Sequence, residues 1–221
     1  MAPHSRVRDT LRDGGLAPFE SAISGLVVRM PQPPAQRPVQ PIGVHPLRDG
    51  HIAIGIGLPF GHSDAETLTR LIEGAKRAGA SGVRTAPGRA LLLVGLSPET
   101  AADIRRQAGR LGFIVEPSDP RCKVIACAGS PVCASGQIPA RSLAAALAQA
   151  VQTGSADRGI IHVSGCSKGC AHPAPTPIAV FGREGRCDIR MDGRVSCSVT
   201  VEDLPAQIAR VLQLRREPNR G

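Results

Sequence analysis

Seven cysteines occur in the 221 residues, and four of them fall into two tight pairs: Cys127 with Cys133, spaced C-x5-C, and Cys166 with Cys170, spaced C-x3-C. Four thiolates gathered at one point hold an iron–sulfur cluster or a zinc ion; the alternative is unligated thiols. The spacing also restricts the backbone. On a helix, residues six apart lie about 120° from each other around the axis, at roughly 100° per residue. Cys127 and Cys133 therefore cannot both face one metal from a helix, and Gly129 and Pro131 break one there anyway. Cys166 and Cys170 are four apart and could share a helical face, but Gly165 and Gly169 favour a closely wrapped turn. Both pairs read as loops that follow strands, Val124 to Ala126 before the first and Ile160 to Val163 before the second. Cys122, Cys187 and Cys197 have no partner at ligand spacing and read as small buried hydrophobes.

Composition narrows the partners. The formal charge is +9, carried by 27 Lys and Arg against 18 Asp and Glu. Such a surplus attracts nucleic acid, an acidic partner or a polycarboxylate ligand. There is no Trp or Tyr and no basic block beside stacking aromatics, so a nucleic-acid partner is not expected. The apolar stretch from Ile23 to Met30 is short, and no run approaches the roughly 20 apolar residues of a membrane span. Cysteines paired at metal-ligand spacing fit a reducing cytoplasm better than a disulfide framework.

The elements that must position these loops follow from pattern. Residues 1–42 read as a stub of a missing first half, with a helical turn or two from Val7 to Leu16, a strand from Ile23 to Val28, and a Pro-rich linker. Residues 43–117 read as a β-α-β-β-α-β ferredoxin-like unit. Its strand from His51 to Leu58 precedes a helix opened by the capping box Ser63-Asp-Ala-Glu66, with Leu68, Leu71, Ile72 and Ala75 on one face. Val83 to Ala86 and Ala90 to Val94 form a hairpin around Pro87-Gly88. Ser97 caps a second helix, with Ile104, Ala108 and Leu111 inward, and Phe113 to Val115 closes the unit as a strand. Residues 118–214 hold both cysteine loops, an Ala/Leu-rich helix from Arg141 to Val151, and strands from Pro177, Cys187 and Arg194. The turn Asp192-Gly193 joins the last two strands, and Thr200 caps a final amphipathic helix. His162 faces the core from its strand, and residues 215–221 read as a disordered tail. The fold class is α+β.

The words Ala126-Cys-Ala-Gly-Ser-Pro-Val-Cys-Ala-Ser, His162-Val-Ser-Gly-Cys-Ser-Lys-Gly-Cys-Ala-His-Pro173 and Gly57-Leu-Pro-Phe-Gly61 resemble the nitrite and sulfite reductase superfamily. Within it they are most similar to the precorrin-3B synthases of aerobic cobalamin biosynthesis. The likeness runs from about Gly43 to Leu212 and covers only the C-terminal half of such a protein. It implies that Cys127, Cys133, Cys166 and Cys170 hold a 4Fe–4S cluster, with one of them, by position Cys170, bridging to siroheme iron in the reductases. Siroheme is not expected as the synthase's reaction centre, because its substrate is itself a tetrapyrrole. The implied reaction is oxygen-dependent hydroxylation of precorrin-3A at C20 with formation of a γ-lactone, served by an electron donor and ultimately by NADH. A separate polypeptide would supply the first half. Lys168 and His172 are then candidates to pair with substrate carboxylates, and His172 to ligate a non-haem iron or shuttle a proton; the plainer reading is a solvated lysine and a turn-capping histidine. Arg84 and Arg89 flank a turn where the superfamily presents basic groups to a macrocycle, and structural ion pairs are the plainer reading for them. A siroheme-dependent sulfite or nitrite reductase subunit and a non-catalytic 4Fe–4S electron-transfer module are the alternative functions.

Overall fold

The structure, a computed structural model, describes residues 7–26, 40–152, 160–172 and 175–214. The chain divides into two compact units, Met1–Val39 and Gln40–Gly221. In the first, helix α1 spans Val7–Gly14 and α2 spans Ala17–Ile23. Ile23 thus ends a helix instead of opening a strand. Pro18 occupies the first turn of α2, where its missing N–H costs no hydrogen bond. The expected linker, apart from Gln40 and Pro41, and the tail fall outside the described residues.

The second unit holds two sheets. The first has the order β1-β2-β4-β3 and is antiparallel throughout, with β1 Gly43–Pro46, β2 Ile52–Gly57, β3 Gly82–Ala86 and β4 Ala90–Leu96. Helices α3 (Ala65–Arg77) and α4 (Pro98–Arg110) complete it. Their side chains Leu71, Ala75, Ile104 and Ala108 join Ile54, Ile56, Leu93 and Leu96 in one core. Each fully buried Leu or Ile contributes about 1.5–3 kcal/mol, so this core and not helix propensity decides that the helices form.

Three details depart from the expected unit. Strand β1 was not foreseen, and it occupies the edge of β2 where a closing strand would lie. The segment from Phe113 to Val115 consequently adds only a single bridge, Gly57 with Ile114. The cap of α3 is Asp64, whose carboxylate accepts from the Thr67 amide at 2.7 Å, while the Ser63 hydroxyl turns to the Asp64 carbonyl. Ile72 is 38% exposed, outside the apolar stripe.

The second sheet runs β5-β6-β7-β8-β9, through Val124–Ala126, Ile161–Ser164, Ile178–Arg183, Arg186–Met191 and Arg194–Val199. Strands β5, β6 and β7 are parallel, and the rest pair antiparallel. Parallel neighbours need a crossover, and α5 (Ala140–Gln152) connects β5 to β6. Asp192 and Gly193 both take positive φ, as a two-residue hairpin turn requires. Thr200 accepts from the Asp203 amide at 3.2 Å ahead of α6 (Leu204–Leu214). Leu143, Leu147, Leu204, Ile208 and Leu212 from α5 and α6 pack with Val124, Val163, Val180 and Ile189. Strand side chains alternate between faces, so the register row Ile125–His162–Ala179–Arg190 lies on the face away from these helices. Of the three unpaired cysteines only Cys187 is buried; Cys122 and Cys197 are half-buried. Burial, foremost, pushes the Cys187 thiol up to about 11. No helix among the described residues is long and apolar enough to cross a membrane.

Candidate functional site

Strands β5 and β6 are parallel neighbours with Ala126 beside Val163, so the loops leaving their C-terminal ends start side by side. Both are irregular, as their glycines require. The Cys127 amide donates to the Val163 carbonyl at 3.2 Å, and the Gln137 amide to the Gly165 carbonyl at 2.7 Å. The Gly165 amide donates to the Cys127 sulfur at 3.1 Å. A backbone N–H on a cysteine sulfur is one of the levers on a cluster's potential. The approach demands glycine. A Cβ on Gly165 would lie 2.7 Å from the Gly129 Cα, and one on Gly129 would lie 2.4 Å from the Ala140 amide nitrogen. Lys168 closes the junction from the other side, its Nζ donating to the Ser135 Oγ at 2.6 Å.

Cys166 is buried, Cys127 and Cys133 half-buried, and Cys170 exposed. Among the described residues no three His, Cys, Asp or Glu side chains are gathered as for a metal ion. What the fold supplies is two cysteine loops with their backbones in contact and an amide already on one sulfur. Soft, charged thiolates in that setting fit iron–sulfur chemistry.

Arg89 reaches this junction from the first sheet. It follows Gly88 in the β3–β4 turn and takes φ 62, rare for a residue with a side chain. Its carbonyl accepts from the Leu58 amide at 2.9 Å, and its Nη2 donates to the Ala171 carbonyl, next to Cys170, at 2.9 Å. Gly61 makes room for it: a Cβ there would lie 2.5 Å from the Arg89 Cδ. The words around Gly57 to Gly61 and Arg89 are thus parts of one device. Burial, and after it the charge of Arg141, hold the Arg89 pKa below its ordinary value. Arg84, opposite Leu92 on β3, is exposed.

His172 is half-buried and meets His162 edge-on, with ring centroids 6.1 Å apart. His162 also stands edge-on to Phe181 at 5.6 Å, and Arg190 lies over the Phe181 ring at 4.5 Å. Arg89, Ala171 and His172 line a cleft of about 490 Å³ with Leu58, Phe60 and Ile125. Of the residues marked by sequence, Cys127, Cys166, Lys168, Arg89 and His172 thus fall along the two loops and the cleft beside them. Ser135, Phe181 and Arg141 were missed; only the density of glycines near the cysteines hinted at how closely the backbones approach.

No family model matches the chain. It is similar to the precorrin-3B synthase of Sinorhizobium sp, 33% identical over 174 residues that make up 78% of this chain and 38% of that protein. The sulfite reductase (ferredoxin) of Mycobacterium tuberculosis is 23% identical over 195 residues, 82% of this chain and 35% of that protein. Among solved structures, the Mycobacterium tuberculosis NirA protein superposes with a TM-score of 0.76 at 20% identity, over 100% of this chain and 47% of that one. The chain therefore spans well under half the length of the curated relatives it matches, and the expected α+β fold is the one it shares with NirA.

Proposed function

We propose that this chain, similar to precorrin-3B synthase and to the sulfite reductases, is the cluster-bearing part of a precorrin-3B-synthase-like oxidoreductase. The reaction assigned to it is oxygen-dependent hydroxylation of precorrin-3A at C20 with closure of a γ-lactone. The observation that carries the reading is the junction of the two cysteine loops, sealed by the Gly165 amide on the Cys127 sulfur at 3.1 Å. Cys127, Cys133, Cys166 and Cys170 would hold a 4Fe–4S cluster, which when bound supplies one-electron transfer.

The chain's own residues set the surroundings. Lys168 fastens the second loop to the first through Ser135. Arg89 spends one N–H on Ala171 and has others for a carboxylate, which a guanidinium binds bidentately. His172, beside it in the cleft, offers an imidazole that can carry a proton. Arg84 serves a carboxylate that extends past the β3–β4 turn. The tetrapyrrole would also need surfaces from the length of the relatives that this chain does not span, contributed in the same or a separate polypeptide.

Anaerobic purification with iron and sulfide analyses tests the cluster: about four irons per chain and broad visible absorption are expected, and both fall in the Cys127→Ser and Cys166→Ser variants. Zinc in place of iron would overturn the assignment. The loaded chain is then given precorrin-3A, oxygen and a reductant, with and without a polypeptide covering the rest of a synthase. Product only on addition supports the reading, and turnover by the chain alone refutes the shared-site part of it. Siroheme in the purified protein would instead point to a sulfite or nitrite reductase subunit. A loaded cluster with no tetrapyrrole affinity in either mixture would point to an electron-transfer module.

A further inference from the structure

We infer that Arg141, against the first cysteine loop, and Arg89, against the second, form a cationic pair, and that their charge makes one-electron reduction of the group held between the loops easier. The inference rests on the cluster reading above. The guanidinium–carboxylate pairs among the described residues engage Arg12, Arg77, Arg105, Arg106, Arg121 and Arg183. Arg89 and Arg141 are in none of them. Both are half-buried, and the Arg141 Nε is fully enclosed without a hydrogen-bond partner among the described residues. Two like charges drawn partly out of water with no carboxylate between them are costly. Such an arrangement persists where another negative charge offsets it.

The geometry names that charge. Arg141 is the second residue of α5, and the Ala140 backbone just ahead of it is pressed against Gly129 of the C-x5-C loop. Arg89 comes from the β3–β4 turn, anchored on Ala171 beside Cys170. Burial, foremost, and then the charge of Arg141 hold the Arg89 pKa below its ordinary value. The first turn of the 13-residue helix α5 adds its positive end in the same place. A four-iron cube with four thiolates carries a double negative charge when oxidised and a triple one after taking an electron from a reductant. Fixed cations nearby stabilise the reduced form more, which raises the potential.

Arg89 and Arg141 are therefore positioning residues for charge, and the test reads a potential instead of activity. The reconstituted chain and its Arg89→Gln, Arg141→Gln, Arg89→Lys and Arg141→Lys variants are titrated with a chemical reductant, with iron counted in each and the reduced state followed by electron paramagnetic resonance. The expected result is a lower midpoint potential in each Gln variant at unchanged iron content, with the Lys variants staying close to the parent. Should one Gln variant fail to fold or load, the other and the Lys pair decide. An unmoved potential in loaded Gln variants, or a fall as large in the Lys variants, overturns the inference. A parent chain that binds no iron–sulfur cluster overturns the functional reading itself, an outcome seen before any potential is measured.

Discussion

His162 is the residue whose chemistry its setting alters most. It is 3% exposed, and its Nε2 has no hydrogen-bond partner among the described residues. Burial, then the charges of His172 and Arg89, bring its pKa down to about 4 from 6.5. The folded state therefore keeps a neutral imidazole under conditions where the unfolded chain protonates. Above about pH 6.5 neither state gains an advantage. As the pH falls below that value the unfolded chain takes up a proton that the folded chain refuses, and stability drops until the folded imidazole titrates near pH 4. The whole window is worth about 3 kcal/mol. In His162→Phe, which keeps a ring beside Phe181, the urea midpoint should decline less between about pH 6.5 and 4.5 than in the parent. Equal declines would mean that other groups control acid sensitivity. The sequence reading put His162 facing the core from its strand, whereas it is buried on the face away from α5 and α6, because a strand's pattern cannot say which face the helices cover.

At the scale of elements, the loops and helices divide the work differently from their local signals. Helix α3 shows this at its first turn. Ser63 and Glu66 have capping-box spacing, yet Asp64 caps, because its carboxylate reaches the Thr67 amide at 2.7 Å. Asp64→Ala should cost about 1 kcal/mol and Ser63→Ala far less, read as the difference in their denaturant midpoints; the reverse order would restore the box. The strands flanking each cysteine loop, the hairpin at Asp192-Gly193 and the helix after Thr200 were legible because period and turn chemistry are local. Strand β1 was not, since four residues after prolines carry too little pattern, and its pairing to β2 is a tertiary contact. The cysteines were legible as a set, while Ser135, the partner of Lys168, was not, because contact across 33 residues leaves no trace in spacing. The closest approach gives the sharpest element-level test. Gly165→Ala puts a methyl 2.7 Å from the Gly129 Cα, backbone that cannot move aside cheaply. On the cluster reading proposed above, that variant should keep its far-ultraviolet circular dichroism and take up far less iron than the parent, whereas Gly193→Asn, at a hairpin tip with nothing within 4 Å, should match the parent in both.

For the molecule as a whole, the important fact is that residues 40–221 contain two apolar cores and few residues that serve both. One core lies under α3 and α4, the other under α5 and α6. Phe60 is the link: it belongs to the turn that leaves the first sheet, yet packs against the second core. It does so at φ 52, a left-handed conformation that a phenylalanine adopts only when packing over-determines it. The same turn places Gly61 beneath Arg89, so the anchor between cores and the arginine that reaches the cysteine loops share one backbone. Two substitutions separate anchoring from strain. Phe60→Ala loses the ring but keeps a side chain in the left-handed region, at a cost of about 2 kcal/mol for a half-buried phenylalanine. Phe60→Gly loses the same contact and relieves the backbone by roughly 1 kcal/mol, so it should be the more stable of the two. The parent is expected to unfold in one calorimetric transition and both variants in two, because a chain whose cores no longer share an anchor loses them separately. One undivided transition in both variants would show that the Arg89–Ala171 and Arg121–Gly112 hydrogen bonds suffice to couple the sheets, and the cysteine loops would then depend on Arg89 more than on Phe60.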